Sequence, residues 1–153
     1  IPTFSEVLAL VGGRVPILVE LKGEDLSSDL CPKVAKLLSE YSGDYCIESF
    51  NPLLVRWYRK NRPDVVRGQL FCNLNNGKGY KKVVYRLITA LLTNVLARPH
   101  FLARGQDSAR NPSLLLCKHL FRAPVFVWTV RAQNEIPADQ RDGMIFERFI
   151  PKD

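Results

Sequence analysis

ILVELK, residues 17–22, carries the clearest sign of the architecture. The run follows Pro16, is too short for a helix of useful length and is almost wholly apolar over 17–21. That is the pattern of a strand buried on both faces of a parallel sheet, interrupted only by Glu20. On its amino side, Thr3 and Glu6 form a T-x-x-E capping box and Gly12 suits a left-handed helix end, which predicts a helix over 3–11. On the other side, Pro32 opens a helix whose Val34, Leu37, Leu38 and Tyr41 recur at helical spacing, and YCIES (45–49) is the next strand. The unit then repeats. Asn51 caps a helix with Pro52 at its first position, with Leu54, Trp57 and Tyr58 inward and Arg56, Arg59 and Lys60 outward. VVRGQL (65–70) is a strand, NLNNGKGY (73–80) a connector, and KKVVYRLITALLTNVL (81–96) the longest helix. FLA (101–103), a helix opened by Asn111 and Pro112, VFVWTV (125–130) and GMIFERF (143–149) complete the series.

Strand and helix alternate throughout, which calls for α/β architecture with parallel strands joined by crossover helices. Two closures fit: a doubly wound open sheet, or part of an eight-stranded barrel of typically about 250 residues. Glu20, Ser49 and Trp128 stand at or near the carboxyl ends of their strands, where barrel enzymes collect functional groups. Neither G-x-G-x-x-G nor G-x-x-x-x-G-K-[ST] occurs to favour a nucleotide fold. A (β/α) TIM-type barrel is therefore expected, as one domain over residues 1–153.

The 153 residues, 46% hydrophobic and 24% charged, exclude disorder throughout, and no apolar run reaches the roughly 18 residues of a membrane span. The start has no basic leader and carries Glu6 inside its apolar stretch, so no secretion signal is read there; beginning at Ile1, the sequence is expected to be a piece of something longer. The net charge of +7 is uneven: residues 51–104 hold eleven Lys or Arg against Asp64 alone, read as solvated helix faces, although such a stretch also suits phosphates. Cys31, Cys46, Cys72 and Cys117 form no C-x-x-C pair, so free thiols and a reducing, cytoplasmic setting are expected.

Glu20 and Lys22 stand two apart, so on a strand both leave from one face. A carboxylate is a hard ligand for Mg²⁺ or Ca²⁺, and an ammonium beside it suits a phosphate oxygen. The same pair would serve as a structural ion pair inside a barrel; spacing alone leaves both open. His100 and His119 are read as structural or surface residues, and Glu24, Asp25 and Asp29, lacking the calcium-loop pattern, as connector and helix-start charge.

PTFSEVLAL, ILVELK, SF (49–50), RGQL (67–70), WTV (128–130) and DGMIFERF (142–149) occur in the order seen in glycerophosphodiester phosphodiesterases, which the chain resembles over essentially its whole length. The resemblance implies a barrel phosphoric diester hydrolase that cleaves a glycerophosphodiester to glycerol 3-phosphate and an alcohol with a divalent metal, Mg²⁺ or Ca²⁺. It implies Glu20 as a metal ligand, Lys22 as the catalytic group that engages the phosphate and stabilises its charge, and Ser49, Phe50 and Trp128 as substrate-binding residues at the mouth.

The departures are equally specific. The family's H-R-G strand, its E-x-D carboxylates and its H-D strand precede the P-T helix with which this sequence starts, so both catalytic histidines and two of three metal ligands are not in it. The resemblance thus points to the C-terminal portion of the domain: an incomplete barrel lacking its first strands, binding metal weakly or not at all and inactive alone. Phe146, Glu147 and Arg148 stand where T-D-x-P is common, and that segment is given no catalytic part. A non-catalytic barrel remnant that binds phosphate, lipid or nucleic acid is the alternative, with nucleic acid not expected. Open sheet edges would favour self-association or pairing with a missing N-terminal segment.

Overall fold

The computed structural model describes residues 1–23, 27–72, 93–109, 111–132 and 141–150. The connector 73–80, most of the long helix expected over 81–96, and Glu24 and Asp25 lie outside them.

Six parallel strands form one sheet in sequence order: β1 (Ile17–Glu20), β2 (Tyr45–Ser49), β3 (Val66–Phe71), β4 (Phe101–Gly105), β5 (Val125–Val130) and β6 (Gly143–Phe146). The described helices are α1 (Phe4–Val11), α2 (Leu30–Ser39), α3 (Pro52–Asn61), α4 (Asn94–Ala97) and α5 (Pro112–Leu120). The sheet curls into a half-barrel with helices between its strands, an incomplete TIM-type α/β barrel. Among the described residues β1 and β6 each pair along one side only.

The start signals act as written. Thr3 and Glu6 close a reciprocal capping box, Gly12 ends α1 at φ 55°, and the Asn51 and Asn111 side chains accept from the amides of Leu53 and Ser113, with Pro52 and Pro112 in the first turns. The main core lies outside the sheet, where Leu8 of α1, Val34 and Leu38 of α2, and Leu54 and Tyr58 of α3 pack on Leu21, Ile47 and Val65. A second cluster joins Leu114 of α5 to Phe71, Leu102 and Val125. The inner face carries Leu70, Phe101 and Ala103 with Cys46, Phe50, Phe126 and Trp128 packed on them.

Three expectations change. β1 is buried on one face only: Ile17 and Val19 meet the helices, whereas Leu18 and Glu20 are exposed, because β1 is an edge strand with an open inner side. Not every basic residue of 51–104 is solvated. Arg67 and Arg104 are buried, on the sheet face opposite Leu70 and Ala103, where burial pulls both guanidinium groups down from their usual pKa. The last strand is shorter than 143–149, stopping at Phe146. None of the four cysteines is in a disulfide.

Candidate active site

Side chains alternate along a strand, so Glu20 and Lys22 leave the inner face while Val19 and Leu21 turn to the helices. The Lys22 ammonium lies 3.7 Å from Glu20 Oε2. Glu20 is partly open and Lys22 is 81% exposed, so this ion pair is loose and contributes little to stability.

The structure adds a residue that sequence reasoning passed over. Glu48 is the register partner of Glu20 on β2, followed across the sheet by Gly68 and Phe101. It is 5% exposed, and its Oε2 has no hydrogen-bond partner. Burial, and secondly the neighbouring Glu20, push its carboxyl up from 4.5 to about 7. The next position of the same row is filled by a neighbour. A Cβ on Gly68 would lie 2.2 Å from the Phe101 ring, so the ring fills the space over Gly68 beside Glu48. One signal could have exposed Glu48: Cys46, Glu48 and Phe50 share a parity, and Phe50 was already assigned to the mouth.

Ser49, of opposite parity, turns away from the inner face. Its hydroxyl donates to the Leu21 carbonyl at 2.6 Å and accepts from the Asn51 amide at 3.0 Å. Beside it, Gln69 Nε2 donates to the carbonyls of Ser49, Phe50 and Leu70 at 3.0, 3.1 and 3.0 Å. These bonds fix where β2 ends and Phe50 begins.

Phe50 and Trp128 meet edge to face with ring centroids 5.6 Å apart, and the indole Nε1 donates to the Ala103 carbonyl at 3.0 Å. The site residues fall into two groups: Glu20, Lys22 and Glu48 on the β1–β2 side, and Phe50 with Trp128 bridging β2 and β5. His100 stands at the amino end of β4, the opposite end from Lys22; its Nδ1 accepts from the Arg67 amide, and burial, with Arg67 second, holds it below its usual pKa. His119 is exposed on α5. Among the described residues no three or more His, Cys, Asp or Glu side chains come together as a metal-binding group.

No protein-family model matches the sequence, and no curated protein matches it. Solved structures do. A Silicibacter pomeroyi protein provisionally assigned as a glycerophosphoryl diester phosphodiesterase superposes with a TM-score of 0.70 at 20% identity, over 95% of this chain and 52% of its own. An Oleispira antarctica phosphodiesterase, solved with the product sn-glycerol-3-phosphate, gives 0.69 at 15% identity over 95% and 57%. A glycerophosphodiester phosphodiesterase from Parabacteroides distasonis gives 0.69 at 15% identity over 95% and 59%. The chain spans little more than half the length of these solved chains. What it shares with them is the fold, and at that level the resemblance read from the sequence holds.

Proposed function

We propose that this chain is the later portion of a metal-assisted phosphodiesterase barrel whose complete domain hydrolyses a glycerophosphodiester to glycerol 3-phosphate and an alcohol. The observation that carries the reading is the Glu20–Lys22 pair on the inner face at the carboxyl end of β1, within a fold shared with solved phosphodiesterases.

The donor set fits a hard divalent cation, Mg²⁺ or Ca²⁺. Glu20 offers carboxylate oxygens at the mouth, and Glu48 beside it keeps a buried oxygen without a partner. Mg²⁺ in particular takes one or two carboxylates and completes its shell with water and phosphate. When bound, such a cation supplies Lewis-acid polarisation of a phosphoryl oxygen. Lys22, exposed and only loosely held by Glu20, engages a non-bridging phosphate oxygen and stabilises the charge that develops there. Trp128, fixed through its indole N–H, and Phe50 form the wall against which the glycerol part packs. Ser49 serves this rim indirectly, by tying down Leu21, the residue before Lys22.

Proton transfer requires a group within hydrogen-bond reach of the substrate, and neither histidine of this chain meets that condition from the end of β4 or the surface of α5. Turnover by this chain alone is therefore expected below detection. Four cysteines of which none is in a disulfide support a reducing, cytoplasmic setting; among the described residues, no helix is long and apolar enough to cross a membrane.

The test is calorimetric titration of the chain with sn-glycerol 3-phosphate in the presence of Mg²⁺. Heat that disappears in Lys22→Ala supports the reading; no binding by the parent chain at millimolar ligand refutes it. A glycerol 3-phosphate release assay separates a hydrolase portion from a remnant that only binds phosphate. Release by the isolated chain would overturn the claim that its histidines cannot serve.

A further inference from the structure

We propose that Glu48 is a direct second carboxylate ligand of the divalent cation, so that Glu20 and Glu48 grip it together from adjacent strands. This rests on the reading of Glu20 as a cation ligand, and it adds a residue to which the resemblance assigns nothing.

Leaving Glu48 as it stands carries a cost. A buried carboxyl oxygen without a partner is unfavourable, and such groups persist where something outside the protein completes them. Among the described residues Glu48 forms no ion pair; the nearby ammonium of Lys22 is drawn to Glu20 and is mostly in solvent. The direct register of Glu48 with Glu20 sets the two side chains on the same face of neighbouring strands, which lie roughly 4.8 Å apart. Two like carboxyls on one face of neighbouring strands repel when ionised, and a divalent cation between them turns the repulsion into attraction for both. The partly open Glu20 gives the ion its entrance, and the Phe101 ring over Gly68 closes the side away from it. Positions not met by carboxylate remain for water or a phosphate oxygen, as Mg²⁺ and Mn²⁺ require.

Mn²⁺ alone is the probe, titrated into the full 153-residue chain at pH 8 and followed by electron paramagnetic resonance of the free ion. Glu48→Gln and Glu20→Gln are each expected to weaken binding about tenfold or more, since affinity follows the number of charged ligands. Wild-type affinity in Glu48→Gln with a loss in Glu20→Gln overturns this proposal and leaves the reading of Glu20 standing. Wild-type affinity in Glu20→Gln overturns the reading of Glu20 and the shared grip with it, and no Mn²⁺ binding by the parent chain overturns the proposal outright. A readout independent of mutant folding uses the unmutated chain with ¹³C-labelled glutamate. The carboxyl signals of Glu20 and Glu48 are expected to broaden together at the lowest Mn²⁺ additions, and broadening of Glu20 alone refutes the proposal.

Discussion

Raising the pH should weaken the folded chain through one residue, Glu48. Its carboxyl is pushed from 4.5 to about 7, first by burial and then by Glu20, so the folded chain binds that proton more tightly than the unfolded chain does. Stability falls with pH wherever the folded state holds the extra proton. The contribution is fully present below about pH 4.5, declines through the interval up to about pH 7, and is gone above it. At about 1.4 kcal/mol for each pH unit, the loss across that window is about 3 kcal/mol, a large share of the roughly 5–15 kcal/mol by which a domain is stable. Glu48→Gln keeps the shape and removes the titration. In metal-free urea unfolding followed by circular dichroism, the variant should match the parent within about 1 kcal/mol near pH 4.5 and exceed it by about 2–3 kcal/mol near pH 8. His100, held below its usual pKa by burial and Arg67, acts in the opposite sense, costing stability as the pH falls below 6.5. It does so equally in both proteins, so their difference isolates Glu48. Stability curves for parent and variant that stay parallel from acid to alkaline pH would refute the account of Glu48 as a buried carboxyl.

Ser49→Ala should cost about 1–2 kcal/mol in the same unfolding assay, because it leaves the Leu21 carbonyl and the Asn51 amide without their shared hydroxyl. Gly68→Ala should cost about 1–3 kcal/mol or more, since the added Cβ falls inside the Phe101 ring's space; a neutral result would mean the ring moves freely. Lys22→Ala should leave stability within about 0.5 kcal/mol while abolishing the heat of sn-glycerol 3-phosphate binding. With β1 and β6, among the described residues, each paired on one side and Leu18 and Val66 exposed, light scattering should report a mass that rises with concentration; a constant monomer mass would contradict this.

The legible parts of the fold were those set by neighbours in sequence. Thr3 with Glu6, Asn51 with Pro52 and Asn111 with Pro112 each solve a helix-start problem within four residues, and the structure uses all three. Glu20 and Lys22 were legible as a pair because strand parity is local. Ser49 and Phe50 read as one motif, yet adjacent strand residues point to opposite faces, so only Phe50 reaches the inner cluster. Glu48 was illegible for the complementary reason. Inside YCIES it is one acid in a short strand, and it gains meaning only when sheet register sets it against Glu20, 28 residues earlier. The open side of β1 was hidden in the same way: ILVE says how apolar the strand is, and the sheet order says that it stands at an edge.

The ring of Phe101 lying over Gly68 has a consequence for whatever occupies the mouth. It ends the acidic row at β2, and from there to β5 the inner wall presents Phe101, Phe126 and Trp128. Among the described residues the inner wall is thus electrically lopsided, with ionisable groups along one flank and aromatic faces along the other. A molecule with one charged end and one organic end can lie across it in a single sense, so head and tail are sorted by the wall before any bond is strained.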